Sequence, residues 1–169
     1  LPINRKQKVF PNGTLVIENV ERMSDQATYT CVAKNSQGYS VRGNLELQVM
    51  VPPHIMPFEI EESIYYGESV QMTCHASKGD RPMSITWTFE GQNLANRQDS
   101  GLRTMKMAEQ TSFLSIASVT GTHSGNYTRI AKNKAGEDRY TTALHVKVPP
   151  RWILEPTDKA FAQGSDAKV

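Results

Sequence analysis

Long apolar runs are missing from this chain. No stretch approaches 18 consecutive apolar residues, so no membrane helix is expected here, and the opening LPINRKQKVF lacks the apolar core of a secretion signal. Any tie to a membrane is expected to run through a transmembrane segment outside this fragment. Charge of one sign is equally scarce. A net charge of +2, with basic residues interspersed among acids, leaves no electrostatic footprint for nucleic acid, and none is expected as a partner. The only cysteines, Cys31 and Cys74, are too few to define a disulfide framework by counting. His54, His75, His123 and His145 fall on different predicted elements without ligand spacing, so neither a metal site nor a cofactor is expected. No nucleophile elbow or oriented base accompanies the serines, which argues against an enzyme.

What the chain does have is repetition. VPPHIMPFEIEESIYYGESVQM from Val51 recurs as VPPRWILEPTDKAFAQGSDAKV from Val148, an offset of 97 that carries Gly67 onto Gly164. LVIENV from Leu15 recurs as LSIASV from Leu114, and SDQATYTCVAKNSQG from Ser24 recurs as HSGNYTRIAKNKAG from His123. The repeating unit is therefore close to a hundred residues.

Inside one unit the apolar residues alternate. Val70, Met72 and Cys74 interleave with Gln71, Thr73 and His75; Ile85 and Trp87 interleave with Thr86 and Thr88; Leu114 and Ile116 form a third pair. Period-two patterning broken by Gly, Pro, Asn and Asp predicts short antiparallel strands, each burying one face against a second sheet. Cys74 precedes Trp87 by 13 residues, the spacing of a strand-B cysteine and a strand-C tryptophan sharing one core, and Tyr127 stands two residues before position 129 as a tyrosine corner requires. Tyr29 and Cys31 meet the same corner pattern in full. The predicted fold is all-β: tandem immunoglobulin-like sandwiches of the I-set type, one complete and two truncated. Residues 1–50 are the C-terminal part of one domain, 51–148 a complete domain, and 149–169 the N-terminal start of a third, whose cysteine is expected two residues past Val169.

Position 129 breaks the pattern, because Arg129 stands where a cysteine should face Cys74. The missing loop closure of about 55 residues removes roughly 4 kcal/mol of stabilisation. A guanidinium buried against Trp87 adds several kcal/mol more unless it reaches solvent or a carboxylate. Three readings compete: a genuine variant whose charge reaches solvent, a damaged allele, and a sequencing or amplification error, since one base separates Cys from Arg codons. The last is favoured and predicts cysteine in the source. Cys31 and Cys74 belong to different domains and cannot pair with each other.

VPPHIMPFEI, YTRIAKNKAG and VPPRWILEPTDKAFAQGSDAKV together resemble the arthropod Down syndrome cell adhesion molecule (Dscam) family, from the end of the sixth immunoglobulin domain, through the seventh, into the eighth. The resemblance covers the whole chain, with flanks like the family's shared segments and a centre like one member of its alternatively spliced set. It implies a cell-surface homophilic adhesion receptor of neurons and immune cells, with a secreted form as a further option. In that family the seventh domain pairs with an identical copy through the outward face of strands A, B, D and E, in antiparallel two-fold fashion. Carried onto this chain, that face makes Gln71, Thr73, His75, Phe113 and Ser115 the interface candidates, with Phe113 the anchor to test. Read without the family, Phe113 is an ordinary surface apolar residue.

Asn12-Gly13-Thr14 and Asn126-Tyr127-Thr128 fit the N-x-[S/T] acceptor pattern, which makes Asn12 and Asn126 glycosylation candidates in a secreted chain. Lys78-Gly79-Asp80 imitates an integrin-type tripeptide, although KGDRPMSITW reads first as a polar turn. The VPP segments read as interdomain joints. Two other functions stay open: heterophilic or pathogen recognition in immune cells, and an intracellular structural immunoglobulin module, for which glycan on either sequon would be disqualifying.

Overall fold

The computed structural model describes residues 6–60, 64–96 and 101–168. Val169, where the third predicted domain stops, lies outside the described residues. The strands are β1 (Gln7–Val9), β2 (Leu15–Ile17), β3 (Ala27–Lys34), β4 (Ser40–Leu47), β5 (His54–Ile55), β6 (Ile64–Tyr65) and β7 (Val70–Lys78). There follow β8 (Ser84–Phe89), β9 (Gln92–Asn93), β10 (Leu102–Ala108), β11 (Thr111–Ile116), β12 (Gly125–Asn133), β13 (Gly136–Leu144) and β14 (Val146–Lys147). One helical turn, α1 (Arg22–Asp25), interrupts the first segment.

Two four-stranded sheets hold the centre of the chain, one ordered β10-β11-β7-β5 and the other β13-β12-β8-β9. Every pairing within them is antiparallel. The alternation read from the sequence sets which side of each strand is buried. Val70, Met72, Cys74, Leu114 and Ile116 face inward from one sheet, and Trp87, Phe89, Tyr127 and Ala131 from the other, all of them buried. The chain enters through β5 on the first sheet and crosses to β6, which pairs in parallel with β14.

Both tyrosine corners form. Tyr127 Oη donates to the carbonyl of His123 at 2.7 Å, and Tyr29 Oη donates to the carbonyl of Asp25 at 2.8 Å, the same four-residue reach in each copy. In the first segment β1 pairs with β2 and β3 with β4, and Cys31 is exposed on the latter pair. Residues 149–168 form no strand or helix, and Trp152, Ile153 and Leu154 are exposed.

Arg129 occupies the middle of the central core. It lies on β12 in register with Trp87 on β8 and Tyr140 on β13, and it is 0% exposed. Among the described residues the guanidinium reaches neither solvent nor a carboxylate, the two outlets that the sequence suggested for a genuine arginine. Instead the guanidinium is solvated by the backbone: Nη1 donates to the carbonyl of Thr73 at 2.7 Å, and Nη2 to the carbonyl of Phe58 at 3.0 Å and to Thr142 Oγ1. The rings of Tyr140, Phe58 and Trp87 surround its Cζ at 4.8, 5.5 and 5.9 Å, within cation–π range. Among the described residues, Nε finds no acceptor. Among the described residues carbonyl dipoles and aromatic faces thus take the place of a counter-ion, and the side chain ties β7, Phe58 and β13 together where a disulfide would join two strands.

Burial has a second consequence at Cys74. Desolvation pushes its thiol up from 9.0 to about 11, with the Arg129 charge opposing the shift. The protonated thiol's contribution to stability is therefore present in full below pH 9.0 and is lost as pH rises through about 11. Alkaline unfolding should accordingly show a loss of stability beginning near pH 9, and an Arg129-bearing Cys74→Ala variant should lack that component. In a thiol titration of the native 169-residue chain at neutral pH, exposed Cys31 should react at once and Cys74 only on unfolding.

Candidate protein-binding face

The outer side of the β10-β11-β7-β5 sheet is where the sequence places its interface candidates, and the register arranges them in rows. Ser115 pairs with Gln71 and with Arg103; Phe113 pairs with Thr73 and with Met105; Thr111 pairs with His75 and with Ala108. Alternation puts the whole of each row on one face, because Met72, Cys74 and Leu114 between them are buried. All five candidates therefore share one surface: Gln71 is exposed, and Thr73, His75, Phe113 and Ser115 are half-buried.

The middle row is apolar at its outer edge. Met105 is 61% exposed beside Phe113, and Met107, at the register shift between Lys106 and Ala108, is 62% exposed. Met56, just past β5, is also exposed, and its backbone N–H donates to the carbonyl of His75. Methionine adapts its unbranched side chain to a partner's contour, and an aromatic ring beside it gives such a surface an anchor. Polar groups bound the row, with Arg103 and Gln71 on one side and His75 on the other. His75 Nδ1 lies 2.9 Å from Thr111 Oγ1 in its own row, which fixes the ring against the sheet.

The methionines were not among the residues read from the sequence. A signal existed in RTMKMA, where Met105 and Met107 alternate with Lys106, but of the strand's inward positions only Leu102 is apolar, and Thr104 and Lys106 beside the methionines are not. Being the edge of the sheet, β10 needs no buried apolar row, so period-two analysis passes over it.

The other singled-out residues lie elsewhere. Asp80 of the Lys78-Gly79-Asp80 turn is engaged at the joint between segments. Its carboxylate accepts the Val51 N–H at 2.7 Å and a guanidinium N–H of Arg22, and Asn133 Nδ2 donates to the carbonyls of Val51 and Asp80 at 2.8 and 3.0 Å. Gly79 takes φ +128°, and a Cβ there would lie 2.9 Å from Pro53 Cα, so the turn needs glycine to pack against the joint. This is a structural turn, not a displayed ligand motif. His54 sits 3.4 Å from Asp138, His123 Nδ1 accepts the Thr120 N–H, and His145 is exposed on another strand connection. Asn12 lies in the turn between β1 and β2, where its Oδ1 accepts the Thr14 N–H at 3.0 Å. Asn126 is exposed on β12, in the other sheet.

Known proteins share this fold. The family model of the immunoglobulin domain matches residues 52–133. The whole chain is 58% identical over 170 residues to the cell adhesion molecule Dscam1 of Drosophila melanogaster, and it spans 8% of that protein's length. Among solved structures, the N-terminal eight immunoglobulin domains of DSCAM isoform 1.30.30 match 99% of this chain at 59% identity with a TM-score of 0.68, of which the chain covers 21%. The seventh immunoglobulin domain of Dscam1, isoform 5, is matched over 97% of its length and 57% of this chain, at 36% identity and a TM-score of 0.54.

Proposed function

From the membership of this chain in the Dscam family of cell adhesion molecules, we propose that it is an extracellular stretch of a homophilic adhesion receptor at the cell surface. That family is one of adhesion molecules, not enzymes. In this reading residues 51–148 form the recognition domain, and 1–50 and 149–169 belong to its neighbours in a tandem array. The partner is an identical copy on an apposed cell, and the contact is the outer face of the β10-β11-β7-β5 sheet. The observation that carries the proposal is the row Met105–Phe113–Thr73: an exposed methionine and an aromatic ring in mid-sheet, bounded by Arg103, Gln71 and His75.

A two-fold pair is self-complementary, so each side chain on the face acts twice, and every change has to suit its own symmetry mate. The apolar row supplies affinity. The polar rim supplies selectivity, since an altered charge in one isoform meets an unaltered residue in another and is rejected.

Phe113→Asp is the direct test. An anchor of this kind is worth about 2 kcal/mol or more per copy, so its loss from two copies should weaken pairing by roughly 1,000-fold. Cells displaying the parent receptor should aggregate with matched cells, and Phe113→Asp should abolish aggregation at unchanged surface level. Unchanged aggregation would remove this face from the reading. Aggregation that ignores isoform identity would replace self-recognition with heterophilic binding.

A further inference from the structure

The two outer faces of the central sandwich are unlike. Among the described residues, exposed Met56, Met105 and Met107 lie on or beside the β10-β11-β7-β5 sheet and exposed Tyr65 and Tyr66 at the β6–β14 pair, while no exposed large hydrophobic side chain belongs to β8, β12 or β13. That second sheet presents hydroxyls and charge. Thr88, Thr128 and Thr141 form one row, with the Thr128 and Thr141 hydroxyls 2.8 Å apart, and the next row runs Thr86, Ile130, Arg139.

Asn126 opens this face. Both of its backbone groups are engaged by Glu90: its N–H donates to Glu90 Oε1 at 2.6 Å, and its carbonyl accepts the Glu90 N–H at 3.0 Å. The backbone is thereby pinned to the β8–β9 turn, and the exposed side-chain amide is what Asn126 presents to solvent. Period-two geometry then settles the rest of the acceptor triplet. Tyr127 points inward at 0% exposure, so Asn126 and Thr128, two residues apart, share the outer surface.

We infer that Asn126 carries an N-linked glycan and that the β13-β12-β8-β9 sheet is the sugar-covered side of the domain, which leaves the opposite sheet for protein contact. The new bond joins Asn126 Nδ2 to the anomeric carbon of a lipid-diphosphate-linked oligosaccharide. The bond from that carbon to the diphosphate oxygen breaks, the diphosphate departs with the electron pair, and the amide gives up one proton. A bulky hydrated glycan suits a face of hydroxyls and charges and would obstruct a face that must close on another protein. The inference rests on the extracellular reading above, because only a chain that enters the secretory pathway meets this donor.

The test uses the full parent receptor made in insect cells. Peptide mapping before and after peptide-N-glycosidase should show Asn126 occupied. Asn126→Gln and Thr128→Ala should each remove one glycan's gel shift, and Thr128→Ser should keep it. Cells bearing Asn126→Gln should aggregate as the parent does. An unmodified Asn126 on secreted receptor overturns the site. Loss of aggregation in Asn126→Gln, at normal surface level, overturns the division of faces. Occupied Asn126 on a receptor that never aggregates sustains the site and counts against self-pairing instead, and a receptor retained in the cytosol counts against the extracellular reading.

Discussion

Arg129→Cys should form a bond with Cys74 and raise the unfolding temperature of the central domain by about 15 °C or more. The argument begins with position. Arg129 is fully enclosed on β12 beside Trp87, its Nη1 reaches the carbonyl of the residue preceding Cys74, and its charge acts on the Cys74 thiol. A thiol placed there faces Cys74 across the core. Closing a loop of about 55 residues contributes roughly 4 kcal/mol through the unfolded chain, and each kcal/mol moves a domain of this size by about 4–8 °C. Removing the guanidinium also ends the desolvation that lowers its pKa. The hydrogen bonds lost with it served to solvate that charge, and replacing buried charge by apolar groups is often neutral or stabilising. Melting with and without reductant isolates the covalent part: oxidised Arg129→Cys should lie far above its reduced form, while the Arg129 domain should be indifferent to reductant. Arg129→Lys serves as the contrast, because a single ammonium cannot span the carbonyls of Thr73 and Phe58. An oxidised variant no more stable than the parent would sink the placement of these two positions opposite each other.

Arg129 also marks the limit of what residue types disclose. Cys74, Trp87, Tyr127 and the interleaved Val70, Met72, Leu114 and Ile116 announce the sandwich because their side chains are the signal, and the structure buries all of them. The partners of Arg129 are mostly backbone carbonyls, from Phe58 and Thr73, and a carbonyl looks the same under every residue name. A search for a carboxylate or a route to solvent therefore could not find them. Interface legibility divides the same way. The outward positions of β7 and β11 follow from strict alternation, but Met105 and Met107 belong to an edge strand whose inner side is apolar only at Leu102. The joint around Asp80 is set by side chains meeting the Val51 backbone, which no spacing rule within the turn foretells.

Gln71→Asn should abolish self-aggregation while leaving the fold intact. One substitution suffices, because Met72 and Thr73 already follow and complete an acceptor triplet. Its geometry repeats that of Asn126-Tyr127-Thr128: Met72 is buried at 1% exposure, and positions 71 and 73 point outward together. The difference is the sheet. Gln71 lies in the row of Arg103 and Ser115, next to the row of Met105, Phe113 and Thr73. A glycan there would stand in the proposed contact, and two-fold symmetry would place two of them between the partners. Loss of the anchor contacts in both copies implies weakening of roughly 1,000-fold. Stability should change little, since the site is an exposed strand position and the carbonyl of Thr73 that receives Arg129 is untouched. Trimming the glycan of the Gln71→Asn receptor with an endoglycosidase, which leaves a single sugar and no change at Thr73, should restore aggregation. Mass spectrometry confirms occupancy before aggregation is scored. A receptor glycosylated at this position that still clusters like its parent would show that the surface of Gln71, Thr73 and Phe113 is not where two copies meet.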